Sequence, residues 1–289
     1  MAVLGDNQYG KAHIRLMKVD RDTDRHVLHD LNVSVTLSGA MEAVHLRGDN
    51  AAVLPTDSQK NTAYAFAREH GVGEIEEYAA RLARHFVDTQ STVDRARVHV
   101  EEYAWERLDG AQQQAQHSFA LTGREVRTTT VTYAGQRERV LSGLTGLVLL
   151  SSTGSEFRGF EKDRFTTLAE ADDRILCTSV DATWRHAAAP DDWGKSWAAA
   201  RAALTEAFAD TYSRSLQQTL FAMGERLLSS CAEVAEVRLS LPNRHHFLVD
   251  LAPFGLANPG EVFHVDDRPY GLIEGTVLAD AAATDPEAW

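Results

Sequence analysis

The sequence predicts an α+β fold made of two like halves, and three observations lead there. Leu31, Val33, Val35 and Leu37 alternate with Asn32, Ser34 and Thr36, the period of a half-buried strand with one wet face. Ile75, Tyr78, Leu82, His85 and Phe86 recur at helical spacing, which buries one side of a helix. The order of two strands, two helices and two strands then reads twice along the chain. Duplication of that order predicts an antiparallel sheet in each half with its helices on one face.

In chain order, Ala12 to Val19 reads as a strand leading out of Tyr9-Gly10-Lys11, and the Leu31–Leu37 strand follows. Pro55 has no amide hydrogen, so a strand ends near it. Thr56 with Gln59 three residues on is a capping-box pattern, so a helix is expected from about Asp57 to His70, stopping before Gly71-Val72-Gly73. The helix through Ile75 and Phe86 comes next. Strands are expected at Ala96 to Arg107 and at the Thr- and Val-rich Val126 to Tyr133. Ala134-Gly135 is a turn and the expected boundary between domains 1–135 and 136–289.

The second half starts with strands at Val140 to Ser151 and Arg174 to Arg185. A helical insert is expected between them near Thr167 to Asp172, where Thr167 and Glu170 form another capping-box pattern. One helix carries Trp197, Ala200, Leu204, Phe208 and Tyr212 in register, and the next carries Leu216, Leu220, Met223 and Leu227. Strands follow at Val234 to Leu241, His246 to Leu251 and Gly271 to Leu278. The Ala-, Asp- and Pro-containing tail from Ala279 is expected to be loose. Open sheets leave edges that want partners, so an oligomer is expected.

Composition narrows the function. The 289 residues, 44% hydrophobic and 25% charged, are those of a globular protein. A net charge of −13 argues against nucleic acid, which needs a basic face. A small anion held by one or two local cations remains compatible. Asp6, Asn7 and Gln8 interrupt the first apolar residues, so no signal segment is expected. No apolar run reaches membrane-spanning length, and the expected location is the cytoplasm. Cys177 and Cys231 stand far apart and form no CxxC pair. Twelve histidines include no HxxxH or HExxH pattern. There is no Walker A stretch and no GxGxxG fingerprint.

Several stretches can carry chemistry. Thr56-Asp57-Ser58-Gln59-Lys60-Asn61-Thr62 at a helix start turns backbone N–H groups toward an acceptor, although Thr, Asp and Ser there ordinarily only cap. Lys11 at a strand start is ordinarily a solvated charge; buried beside a hydroxyl it becomes a base. The loop Gly154-Ser155-Glu156-Phe157-Arg158-Gly159-Phe160 carries two aromatics, and a Phe there either stacks on a planar ring or tucks into the core. Arg174 after Asp172-Asp173 is either a surface ion pair or a bidentate clamp on an anionic heterocycle. In Leu216-Gln217-Gln218, at the start of the last helix, a Gln can present an amide to a ring edge, although most such residues are solvated. If the chain stays extended past Pro242, Asn243 and His245 share one face.

Taken together, Tyr9-Gly10-Lys11, the Thr56–Thr62 stretch, Ser152 to Phe160, Thr166-Thr167-Leu168, Asp173-Arg174-Ile175-Leu176 and Ser240-Leu241-Pro242-Asn243-Arg244-His245 resemble the urate oxidase (uricase) family. The resemblance runs from about Tyr9 to Thr276 and is nearest the bacterial type. It implies the tunnelling fold: tandem ββααββ domains, a barrel closed by dimers, and a homotetramer with active sites at subunit interfaces. It also implies cofactor-free oxidation of urate by O2 and water to 5-hydroxyisourate and hydrogen peroxide. On the matching positions it implies that Arg174 and Gln217 clamp urate, Phe157 stacks on the ring, and Leu168 and the Leu216 backbone line the pocket. Thr56 and Asp57 then meet the opposite edge from a neighbouring subunit. Lys11, Thr56 and His245 form a proton relay, and Asn243 holds dioxygen or water. Leu216 stands where some relatives have valine, and Pro55 where they have a small residue. Two other readings are another purine or pterin enzyme of this fold, which needs zinc ligands, and a purine-binding protein without catalysis, which has no need of Lys11.

Overall fold

The computed structural model describes residues 2–111, 113–280, 282 and 284–289. The chain divides into two compact units, Met1–Gly143 with Asp285–Trp289, and Leu144–Thr284.

The first unit contains β1 (Tyr9–Asp20), β2 (Val27–Gly39), α1 (Glu42–Arg47), α2 (Thr56–Glu69), α3 (Ile75–Thr89), β3 (Val93–Asp109), β4 (Gln114–Ala134) and the start of β5 (Arg137–Ser151). Its strands neighbour one another in chain order, β1 to β5, with β1 to β4 antiparallel. The apolar side of the β2 alternation is buried, with Leu31, Val33, Val35 and Leu37 all at most 2% exposed. The other side is not the expected wet face: Ser34 and Thr36 are only partly exposed and Asn32 is buried, donating to Glu101 at 2.7 Å. On α3, Ile75, Tyr78, Leu82 and Phe86 are fully buried, each side chain stabilising the unit by about 1.5–3 kcal/mol. The Tyr78 hydroxyl donates to the Ala63 carbonyl at 2.7 Å and ties α3 to α2. Glu76, buried in the first turn of α3, accepts from Arg127 at 2.7 Å and from the Ser142 hydroxyl at 2.7 Å. Burial nevertheless raises its carboxyl above the ordinary range.

The second unit holds the rest of β5, β6 (Leu176–His186), α4 (Trp193–Asp210), α5 (Leu216–Ser230), β7 (Val234–Pro242), β8 (His245–Leu248), β9 (Phe263–Asp266) and β10 (Leu272–Leu278). Its sheet order is β5-β6-β7-β10, with β7 antiparallel to both β6 and β10. Helix α5 packs on β7 and β10. Trp184, Ala200, Leu204, Met223, Leu227 and Val237 are fully buried at the centre of this core. Strands β8 and β9 form a separate two-stranded sheet. Both cysteines are buried and free. Among the described residues, no helix is long and apolar enough to cross a membrane.

The expected α+β plan of antiparallel strands and helices is present, and several local expectations need correction. Helix α1 has no counterpart in the expected element order. Strand β4 begins at Gln114, well before the expected Val126. The capping box at Thr56 does not form: Pro55 occupies the N-cap with φ −53° and ψ 137° and makes no side-chain cap, so Thr56 is already helical. Gln59 is fully buried and its amide donates to the Leu54 carbonyl at 3.5 Å. No helix forms over Thr167 to Asp172. There Glu170 receives Lys162 at 2.9 Å, and Ala171 pairs with Phe157. Helix α4 stops at Asp210, leaving Tyr212 half exposed beyond it. Tail positions 281 and 283 lie outside the described residues. The end of the chain is held: Arg139 pairs with Asp285 at 2.5 Å, and Ala288 is 1% exposed.

Candidate active site

Lys11, Thr56 and Asp57 belong to the first unit. Lys11 lies on β1 opposite Val35, so both side chains leave the sheet on the same face. Val35 is buried, and α2 packs on β1. Beside Lys11 the register slips, resuming at Ile14 opposite Val33. At this bulge His13 takes a φ of 56° and its N–H donates to the Ser34 hydroxyl at 3.1 Å. Bulges of this kind bend a strand and re-aim its side chains. Gly10 is required by close approach: a Cβ there would fall 1.8 Å from the Val35 carbonyl oxygen. The Tyr9 hydroxyl donates to the Leu54 carbonyl at 3.0 Å, the same oxygen that receives Gln59. This bracket holds the start of β1 against the start of α2, and burial raises the Tyr9 phenol above its ordinary value.

At the start of α2 the Thr56 hydroxyl takes no partner among the described residues. Asp57 is exposed and accepts from Lys60 and from Asn61 at 3.2 Å. Lys60 holds its carboxyl below the usual range, and the charge of Lys11 adds to the effect. Lys11 and Asp57 are therefore within electrostatic reach of one another.

Phe157, Leu168, Arg174, Leu216, Gln217, Asn243 and His245 belong to the second unit. Backbone bonds zip three segments side by side. Glu156 N–H donates to the Ser213 carbonyl at 2.8 Å and Ser213 N–H to Gly154 at 3.0 Å. Phe157 and Ala171 exchange bonds of 2.9 and 3.1 Å, and Arg174 N–H donates to Ser155 at 2.8 Å. Phe157, Arg174 and the start of α5 are thus fixed together. Helix α5 is capped by the Ser215 hydroxyl, which accepts from Gln218 N–H at 3.2 Å. Gln218 in turn accepts from Arg214 N–H at 2.8 Å. Leu216 is buried and Gln217 exposed, so Gln217 projects from the first turn with its amide unengaged among the described residues.

Arg174 is the cation of this cluster. Its adjacent acids do not pair with it: Asp172 pairs with Arg158, and Asp173 accepts from Thr153 and the Gly154 N–H. The half-buried guanidinium sits 5.1 Å from the centre of the Phe157 ring, and its Nε is buried without a hydrogen-bond partner. Burial lowers its pKa. Phe157 is itself stacked on Phe160, with centroids 4.9 Å apart. An unpaired planar cation on an aromatic ring is suited to a planar anion.

The other expected residues are less closely gathered. Leu168 is 58% exposed. The chain divides after Asn243. Asn243 bridges Thr178 and its N–H donates to Gly271 at 2.9 Å, while His245 opens β8 opposite Asp266. The uninterrupted strand that would put Asn243 and His245 on one face is therefore not formed. Among the described residues no group of three His, Cys, Asp or Glu side chains is placed to hold a metal.

Comparison with known proteins settles the family. The family model described as uricase matches residues 7–132 and 140–274. The chain belongs to the uricase family. It is similar to the uricase of Arthrobacter globiformis, 46% identical over 99% of this chain and 93% of that protein. A uricase of Dictyostelium discoideum is 37% identical over 96% of this chain and 98% of its own. The crystal structure of the Arthrobacter globiformis uricase superposes with a TM-score of 0.94, covering 99% of this chain and 98% of that one at 46% identity. Three features of this uricase-family chain escape sequence reasoning: the bulge at His13, the Tyr9–Gln59 bracket and the turn held by Asp173. Thr153 and Asp173 are too far apart in sequence for spacing to join them.

Proposed function

We propose that this chain is a cofactor-independent urate oxidase that converts urate, O2 and water to 5-hydroxyisourate and hydrogen peroxide. The observation that carries the reading is the unpaired Arg174 guanidinium against Phe157. Urate is a planar monoanion near neutral pH. Arg174 supplies paired donors and the compensating charge, Gln217 a second amide, and Phe157 a stacking face. Leu168 and the backbone at Leu216 line the pocket. Removing a further proton makes urate a better one-electron donor to O2, and this is the work assigned to Lys11, Thr56 and His245. Asn243 holds dioxygen or water over the ring.

In this reading the halves 1–135 and 136–289 are tandem tunnelling-fold domains, two chains close a barrel, and two barrels stack as a homotetramer. Thr56 and Asp57 of one chain then meet urate held by Arg174 and Gln217 of its neighbour. The open strand edges expected of such sheets support an assembly of this kind. The cytoplasm is the assigned location. The test is loss of urate ultraviolet absorbance on adding purified protein, with hydrogen peroxide appearing. Urate that stays intact while the protein binds it would reduce the chain to a purine-binding protein.

A further inference from the structure

We propose that Asp173 is a positioning residue for the anion site: it gathers the 153–155 turn with its own carboxylate and so leaves the neighbouring guanidinium free for substrate. The inference rests on the urate-binding reading of Arg174. A carboxylate next in sequence to an anion-binding arginine is a hazard. It can neutralise the cation and it repels the ligand. Here its oxygens are turned elsewhere. Oδ2 accepts from the Thr153 hydroxyl at 2.7 Å, and Oδ1 accepts from Gly154 N–H at 3.0 Å and Ser155 N–H at 3.4 Å. Ser155 returns the contact by accepting the Arg174 N–H at 2.8 Å. The turn and the arginine backbone therefore form one closed ring of bonds. Phe157 leaves that ring two residues later, already paired with Ala171. One carboxylate thus sets the spacing of both the ring and the cation.

The Thr153 hydroxyl first, and then the backbone N–H groups, hold the Asp173 carboxyl below the usual range. A depressed carboxyl keeps its hold at all pH above the ordinary carboxylate value and loses it only as pH falls through the lowered one.

The experiment compares full-length Asp173→Ala, Asp173→Asn and Thr153→Val with the wild type. Binding of the unreactive analogue 8-azaxanthine and the kcat and KM for urate are measured. Asp173→Ala should weaken analogue binding and raise KM roughly tenfold or more, the worth of charge-assisted bonds, with kcat at saturation little changed. Asp173→Asn keeps an oxygen for the two N–H groups and should recover most of the affinity. Thr153→Val should fall between them. If Asp173→Ala does not fold, Thr153→Val decides, with an affinity expected below those of the wild type and Asp173→Asn. Wild-type affinity in all folded variants overturns the inference while leaving the urate reading intact. A wild-type protein that binds neither urate nor 8-azaxanthine overturns the reading itself.

Discussion

Replacing Arg174 with methionine separates a binding arginine from a structural one. The guanidinium is half buried, contacts Phe157 and has no acidic partner among the described residues. Against urate it would make two charge-assisted hydrogen bonds, each worth about 1.5–3 kcal/mol. The gross loss is then about 3–6 kcal/mol. Taking the lower part of that range, affinity for 8-azaxanthine should fall roughly a hundredfold to a thousandfold. Stability should move the other way. Removing a buried, unpartnered Nε relieves about 1–3 kcal/mol of desolvation, against about 0.5–1 kcal/mol lost from the ring contact. Calorimetric titration with the analogue and a thermal melt of the unliganded protein measure both. A melting temperature several degrees lower with affinity unchanged would show that Arg174 is a structural cation, and the reasoning from its missing partner would be wrong.

Three other outcomes are expected. Phe157→Ala should weaken analogue binding by about 1–3 kcal/mol, as for stacked nucleobases, and unchanged affinity would mark the ring as packing only. Lys11→Met should leave assembly and analogue binding intact but slow turnover roughly 10²–10⁴-fold; near-normal turnover would remove Lys11 from the proton relay. Co-refolded Arg174→Ala and Thr56→Ala chains should regain activity at roughly a quarter of all sites, because a mixed two-fold pair collects both lesions in one site. Mixed assemblies that stay as inactive as the separate mutants would mean that each site is built within one chain.

Elements with a strong period are legible in the sequence. Strand β2 and helix α3 bury the apolar residues that their spacing selects, while His85 on α3 stays only partly buried. The elements that escape notice lack that signal for a physical reason. Helix α1 has six residues and buries none of them, so nothing enforces a period. The first half of β4, up to Arg124, has no buried residue, so neither face is selected for apolar side chains. Thr56 and Gln59 match a capping pattern, but an extended Pro55 enters the helix one residue early and Gln59 turns inward to Leu54. The candidate site can be listed from the sequence as a set of residue types, but not as a set of contacts. Adjacency in sequence pairs Arg174 with Asp172 or Asp173, whereas folding brings Arg158 to one acid and the 153–155 turn to the other. A long-range hydrogen bond leaves no periodic trace, and the unpaired state of Arg174 follows from several such bonds at once.

The central claim is best tested by stoichiometry in protein dialysed against a chelator. Urate loss, oxygen uptake and peroxide release are followed together in one sealed cell. The account predicts one O2 consumed and one hydrogen peroxide formed for each urate oxidised, at a rate that chelation does not change. Urate loss that stops after chelation and returns with added metal, or that proceeds without oxygen uptake, would contradict it.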